Sequence, residues 1–283
     1  MMHSISFRVR IFVAAAVLVV VGAGGIIASA NHSWANYHWA RTAHPFTLKL
    51  VDSVTANWNS YLGATSADWS KSTVLDTAVV SGNESSSTRK RCPAVLGKDR
   101  VCNAAYGNNG WLGLAQVWVY SDGHIAQGVV KVNDTYFNTV AYNTPAWRNL
   151  VMCQELGHTL GLGHTDENLS NFNEGTCMDY TNAPAGGVVN GFDYGPSNER
   201  PNQHDYDQLA GAIYAHLDST NTTTSSIDGG GGGRPAIVGQ DIDLNDPSAW
   251  GKAMKKDARG NPSLYERDLG KGQKLFTFVI WTD

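Results

Sequence analysis

The spacing of hydrophobic residues divides the first half of the chain into predicted strands, a helix and a hairpin. Two strands are predicted by the apolar runs in PFTLKLVDSV and STVLDTAVVSG, and between them VTANWNSYLGATSADWS has near-helical spacing. Residues 82–110 are polar and glycine-rich, and we expect loops there. The segment WLGLAQVWVYSDGHIAQGVVKVND predicts a β-hairpin that turns at Asp122-Gly123.

Two helices are predicted in the second half. The first begins in YNTPAW, where Thr144 can cap the free backbone amides and Pro145 suits the first helical position. It ends at Gly161, which tolerates the left-handed conformation that turns the chain back. One face of this helix carries polar residues, and the opposite face carries Leu150, Cys153, Gly157 and Leu160. Residues 165–201 look irregular, and the segment NQHDYDQLAGAIYAHLD predicts an amphipathic helix with Leu209, Ile213 and Leu217 at four-residue spacing.

The two ends of the chain have distinct compositions. Residues 1–30 combine two arginines, an apolar run and Ala28-Ser29-Ala30, which predicts a secretory signal peptide cleaved after Ala30. The alternative is an uncleaved membrane anchor. Residues 221–235 are rich in Gly, Ser and Thr and predict a flexible linker. Residues 236–283, which include QKLFTFVIW, are expected to form a small β-rich appendage outside a main domain at 31–220.

Composition narrows the classes of function. The chain of 283 residues is 42% hydrophobic, enough for one sizeable core. Its net charge of −4, without a basic stripe, argues against nucleic acid as a partner. The four cysteines allow three pairings, and in an exported protein we expect Cys92–Cys102 and Cys153–Cys177.

Candidate metal chemistry is concentrated in VMCQELGHTLGLGHTDE, residues 151–167. Gln154 and His158 are four residues apart on one helix face and can hold a single ion. Glu155 lies beside that ion, where a carboxylate can act as a general base. The turn at Gly161 allows His164 to fold back as a third ligand, and three protein ligands leave an open position typical of catalytic zinc.

The stretch QELGHTLGLGH, followed by TCMDY, resembles the metzincin zinc peptidases, and among them the matrixins, over about residues 45–218. The resemblance implies an α+β fold with a twisted, mainly parallel sheet, an antiparallel edge strand, an active-site helix and a C-terminal helix. It also implies that Met178 lies in a turn below the metal. Tyr180, two residues later, is similar to the tyrosine of astacins and serralysins that can contact the zinc or the oxyanion.

This resemblance implies a secreted, extracellular, monomeric zinc endopeptidase that acts on protein or peptide substrates with one catalytic Zn²⁺. Glu155 would be the general base, Tyr180 would stabilise the oxyanion, and Gln154, His158 and His164 would bind the metal. No stable membrane association is expected after signal cleavage. Calcium at Asp166 and Glu167 is conceivable, but two acidic residues in a loop are more often solvated.

Gln154 departs from the family pattern, which has histidine there, and this departure leaves alternatives open. A neutral amide oxygen is a poorer zinc donor than imidazole, so the site could be the relic of a peptidase. The chain would then be an inactive exported protein that binds an extended peptide beside the strand GHIAQGVVKV, or an anchored structural protein. His204 is the candidate substitute ligand if Gln154 does not bind, and we expect His124 in the hairpin turn to be solvated.

Overall fold

The computed structural model describes residues 31–223, 236–237 and 242–282. The predicted signal peptide at 1–30 and most of the predicted linker lie outside these residues. Among the described residues, no helix has the length and apolar character needed to cross a membrane.

The fold is built on one mixed sheet of eight strands in the order β2-β1-β3-β5-β4-β10-β9-β8. Neighbours from β2 to β5 in this order run parallel, and neighbours from β5 to β8 run antiparallel. A separate two-stranded hairpin lies in the irregular region, with β6 at Val188–Val189 and β7 at Phe192–Asp193. The strands of the main sheet are β1 (Phe46–Ser53), β2 (Leu75–Ser81), β3 (Lys98–Ala104), β4 (Trp111–Val119), β5 (Ile125–Asn133), β8 (Lys252–Lys256), β9 (Pro262–Gly270) and β10 (Gln273–Trp281).

The predicted helices are present, and two of them pack against each other next to the sheet. The longer one has the predicted start, because the Thr144 hydroxyl accepts a hydrogen bond from the Trp147 amide and Pro145 follows as the first helical residue. The chain turns back at Gly161, with φ of 104°. The helices are α1 (Ala56–Trp69), α2 (Ser86–Arg91), α3 (Asp134–Phe137), α4 (Pro145–Thr159) and α5 (Gln203–Gln208), and a short 3-10 turn is at Pro247–Ala249.

The expected C-terminal appendage is wrong. Residues 252–281 form three strands of the main sheet, and β10 pairs along β4 from Trp111 to Val119. The two faces of β10 enter two different hydrophobic clusters, with Phe276 and Phe278 on the α4 side and Leu275 and Val279 on the other. A strand that is buried on both faces has a continuous apolar sequence, which explains the run LFTFVIW.

Three smaller expectations are also corrected. The antiparallel edge strand is β8 and not the hairpin strand GHIAQGVVKV, which lies inside the sheet as β5. The segment 82–110 contains α2 and β3 in addition to loops. The last predicted helix is regular only over α5 and continues as a π-helical turn at Leu209–Ile213, so that Leu217 is exposed instead of packed.

A buried carboxyl group connects the parallel half of the sheet to α4. The side chain of Asp99 on β3 is fully buried, and its Oδ2 accepts a hydrogen bond of 2.5 Å from the Thr159 hydroxyl. Burial raises the pKa of Asp99 to about 7, and the hydrogen bond from Thr159 opposes that rise only in part.

We expect Asp99→Asn to stabilise the protein at neutral and alkaline pH. The folded state holds the Asp99 proton up to pH about 7, whereas the unfolded chain releases it near pH 3.8. Stability therefore falls as pH rises through this window, by on the order of 4 kcal/mol. Urea unfolding at pH 5 and pH 8 should show a larger gain for Asp99→Asn at pH 8, whereas Asp268→Asn on the exposed part of β9 should show no such gain. An equal effect at both pH values would contradict the shifted pKa.

Candidate metal centre

The polar face of α4 is completely buried. Gln154, Glu155 and His158 each have no solvent exposure, and His164, just after the helix, is 8% exposed. Buried polar groups need hydrogen-bond partners, and three backbone carbonyls of this helix region obtain theirs from surrounding tryptophans. The indole N–H groups of Trp69, Trp34 and Trp39 donate to the carbonyls of Cys153, His158 and Thr159. The helix end that carries the candidate ligands is therefore held from several sides.

The two histidines face each other through their Nε2 atoms, which are 2.9 Å apart. The Nδ1 of His158 lies 2.8 Å from the Leu162 carbonyl, and the Nδ1 of His164 lies 2.9 Å from the Glu167 carboxylate. Both oxygens accept, so each Nδ1 carries a proton, and the neutral His158 ring presents a lone pair on Nε2 toward His164. Burial lowers the pKa of His158 well below its usual value, which keeps this ring neutral.

At this distance the His158 lone pair faces either an N–H of the His164 ring or a cation held between the two rings. An outer hydrogen bond on Nδ1 that orients Nε2 toward an ion is the usual arrangement of metal-binding histidines. The pair His158 and His164 therefore fits a zinc ion. Glu167, which fixes the His164 ring, was not assigned this role from the sequence, although its position three residues after His164 is a usable signal.

The side chain of Gln154 is oriented by two carbonyl groups. Its Nε2 donates to the Cys177 carbonyl at 2.9 Å and lies 3.5 Å from that of Asp179. Because only the amide nitrogen can donate, this contact also fixes the position of Oε1. Oε1 is buried and has no hydrogen-bond partner among the described residues. An unpartnered buried oxygen on the helix that also carries His158 is compatible with a third, weak donor to the metal.

Glu155 lies between α4 and the sheet. The backbone amides of Ala115 and Ile280 face its carboxylate without reaching hydrogen-bond geometry, and they lower its pKa. Burial is the larger effect and raises the pKa of Glu155 well above its usual value. Close approach of this side chain depends on Gly113 in β4, where a Cβ atom would lie 3.0 Å from Oε1 of Glu155. This role of Gly113 was not predicted from the sequence.

The strand β10 covers the site. The Phe278 ring stacks on the His158 ring with a centroid distance of 4.1 Å and an interplanar angle of 11°. Tyr180 packs against His164, and its hydroxyl donates a hydrogen bond of 2.6 Å to the Val279 carbonyl. Burial raises the pKa of Tyr180 well above its usual value, so that it remains a donor. Tyr180 and Val279 are about 100 positions apart, and no pattern in either segment indicates that they meet. Phe278 and Val279 were therefore not predicted as part of the site.

The expected site for strand addition is also corrected. The segment GHIAQGVVKV forms β5, which lies between β3 and β4 and has no open edge. Its neighbour β4 has no open edge either, because β10 pairs with it in antiparallel register.

The turn that carries Met178 lies directly below α4. A Cβ atom on Gly157 would lie 2.4 Å from the Met178 sulfur, so glycine is needed for this close packing. The Thr165 amide donates to the Met178 carbonyl, which connects the turn to the loop after His164. The structure joins the cysteines in the expected pairs, Cys92–Cys102 and Cys153–Cys177, and the second pair links α4 to the same turn.

The remaining candidate residues are accounted for elsewhere. His204 does not approach the His158 and His164 pair through any described contact. Its ring lies 4.7 Å from the His32 ring, and the Nε2 of His32 is 3.2 Å from the Asp205 carboxylate. Asp166 accepts a hydrogen bond from the Asn168 amide, while Glu167 contacts His164 and the Ser263 hydroxyl. The described contacts of these two acids thus give no support to calcium binding.

Comparisons with known proteins give only weak similarities. No protein-family model matches the chain, and no curated protein sequence is significantly similar to it. The structure of myroilysin is similar over 65% of this chain and 99% of its own, with 13% identity and a TM-score of 0.35. High choriolytic enzyme 1, a hatching enzyme zinc-protease from Oryzias latipes, is similar over 62% and 94%, with 9% identity and a TM-score of 0.34. Similarities this weak leave the function to the geometry of the site.

We expect Gly157→Ala to destabilise the protein by about 1–3 kcal/mol, because the new methyl group would collide with Met178 and with the Trp69 ring. Gly63→Ala in α1 is the matched control, since a Cβ there meets nothing within 4 Å. The control should be neutral or stabilising by roughly 0.5–1 kcal/mol. Urea denaturation of both variants measures the difference. A Gly157→Ala protein as stable as the control would refute the tight contact between helix and turn.

Proposed function

We propose that the protein is a secreted zinc-dependent endopeptidase whose active site is closed by its own strand β10 in the described structure. The observation that supports this proposal is the convergence of the His158 and His164 Nε2 atoms beside Glu155 on a buried helix face. An imidazole lone pair buried against a second imidazole needs either a shared proton or a cation, and the present proposal assigns a cation.

The residues of the site have separate roles in this proposal. His158, His164 and the Gln154 oxygen hold the metal, which when bound supplies Lewis-acid activation of water and of the peptide carbonyl. Glu155 accepts the proton of the attacking water and passes it to the leaving amine. Its raised pKa in the closed form suits a group that is protonated while the site is dry and ionises when water enters.

A peptide substrate would take the place of β10. Antiparallel pairing with β4 would satisfy the peptide backbone, and the scissile bond would cross Glu155 where the Phe278–Ile280 segment lies now. Removal of β10 would also release the Tyr180 hydroxyl from the Val279 carbonyl, leaving it available to the oxyanion. A protein or peptide of extended conformation is therefore the proposed substrate class.

The second candidate is a protein without catalytic activity, and the burial of the site is the observation that favours it. Phe278 covers His158, and a neutral glutamine stands at the position of a stronger ligand. In that case zinc, if bound, would serve only to join α4 to the loop at His164. The two candidates differ in peptide hydrolysis after β10 is loosened.

We expect Gln154→His to tighten zinc binding and Gln154→Ala to weaken it by about 10- to 100-fold, because imidazole is a stronger donor than an amide and alanine is none. Competition with a chelator, compared with wild type, measures the change and cancels zinc held elsewhere on the chain. Equal affinities of wild type and Gln154→Ala would show that Gln154 is not a ligand, and that water completes the site.

We expect Phe278→Ala to increase zinc-dependent peptide hydrolysis by the full-length chain by about tenfold or more, because each 1.4 kcal/mol lost from the closed form raises the open population tenfold. Phe276→Ala is the matched control: Phe276 lies two residues away on the same strand and also packs on Trp34, but has no recorded contact with His158. Hydrolysis is followed with a denatured protein mixture.

Adding Glu155→Gln to Phe278→Ala should lower the rate of that hydrolysis by about 10²–10⁴-fold, while zinc remains bound. This result would assign the activity to Glu155. A folded, zinc-loaded Phe278→Ala protein that hydrolyses no more peptide than its Glu155→Gln counterpart would favour the protein without catalytic activity.

A further inference from the structure

Three histidines converge on one carboxylate at a place remote in sequence from α4. Nε2 atoms of His38, His124 and His216 lie 3.4, 3.2 and 3.3 Å from the same oxygen, Oδ1 of Asp218. His124, expected to be solvated, has a side chain that is only 16% exposed and contacts Asp218. His38 and Asp218 are buried, and His216 is on the solvent side.

Backbone pairing brings these residues together. The strand-like segment at His38 forms a bridge with His124 in the β4–β5 turn, and the Ile125 amide donates to the His38 carbonyl. The segment after α5 pairs with the same N-terminal segment through the Asp218 amide and the Arg41 carbonyl. Three separate parts of the chain therefore present their side chains to one point.

Contacts at Nδ1 orient two of these rings. The Nδ1 of His38 lies 2.8 Å from the Asn36 carbonyl, and the Nδ1 of His124 lies 3.0 Å from the Asp122 carboxylate. Both partners accept, so each Nδ1 carries a proton. The Nε2 of each ring is thereby turned toward Oδ1 of Asp218.

The distances from Asp218 Oδ1 to the three Nε2 atoms match those between ligands of a tetrahedral metal, since neighbouring donor atoms lie roughly 3.3 Å apart when metal–ligand bonds are ~2.0–2.1 Å. The ligand atoms of His38, His216 and Asp218 all lie within 4.8 Å of one another, and His124 approaches the same Asp218 oxygen. Imidazoles and a carboxylate are donors of the type that binds Zn²⁺. The other Asp218 oxygen accepts from the Arg41 amide and lies 3.6 Å from its guanidinium, which leaves Oδ1 for the ion.

We propose that His38, His124, His216 and Asp218 form a structural zinc site, distinct from the centre on α4. The ion would tie the N-terminal segment and the segment after α5 to the β4–β5 turn. The two held Nδ1 atoms are the outer contacts that orient metal-binding histidines. Asp122, which holds the His124 ring, would contribute through this contact and not as a ligand.

Zinc counting on the full-length protein at pH 7.5 tests the proposal, with Zn²⁺ alone as the probe. His216→Asn and His124→Asn should each bind one zinc ion fewer than His44→Asn, a control at an exposed histidine three residues from Arg41. This difference is expected whether or not the α4 centre binds zinc, so the two proposals fail separately.

The same variants give a second readout through stability. Zinc added to metal-depleted protein should raise the unfolding temperature of the His44→Asn control more than that of His216→Asn, whose exposed position makes misfolding of the variant a small risk. Loss of a ligand should weaken binding at this site by about tenfold or more. Equal zinc numbers and equal zinc-induced shifts in all three variants would overturn the site.

Discussion

The pairing of β10 with β4 is the interaction on which the rest of the structure depends. It converts β4 from an exposed edge into an interior strand and completes both hydrophobic clusters of the sheet. An unpaired edge next to a buried helix would expose backbone donors and acceptors, which favours pairing with some extended chain. In this protein the nearest extended chain is its own C-terminal segment, and the consequence is a dry site on α4.

The exclusion of water determines the chemistry of that site. Glu155 is shielded by β4 and β10 together, and its raised pKa follows from the lost solvation of the ionised form. The His158 ring is shielded by Phe278 on one side and held by the Leu162 carbonyl on the other. Every group that the proposed reaction requires is therefore present, but each is occupied by a contact that a substrate would have to replace.

The local features of α4 could be predicted from the sequence because they depend on neighbouring residues. The cap at Thr144, the turn at Gly161 and the helical spacing of Gln154, Glu155 and His158 are properties of one short segment. The structure also has the hairpin at Asp122-Gly123, where Gly123 has a positive φ. Interactions within a segment leave a pattern in that segment.

Long-range features left no such pattern. The run LFTFVIW indicates a strand buried on both faces, but it does not say which strand is its neighbour, so the cover over α4 was missed. The role of Gly113 could not be predicted either, because the side chain that requires a glycine there, Glu155, lies on another element. The placement of His204 beside His32 and of His124 beside Asp218 likewise depends on where distant segments meet.

The two proposed metal sites share one physical basis. In each, an oxygen acceptor holds a proton on the Nδ1 of an imidazole and turns its Nε2 toward another polar atom, Nε2 of His164 in one case and Oδ1 of Asp218 in the other. They differ in what surrounds the ion. The cluster at Asp218 has four strong donors and no remaining position, which suits a structural ion. The centre on α4 has two strong donors and a weak one, so a position stays open once Phe278 moves away, and an open position is what catalysis requires. The weak ligand and the covering strand thus act on the same property, the access of water and substrate to the metal.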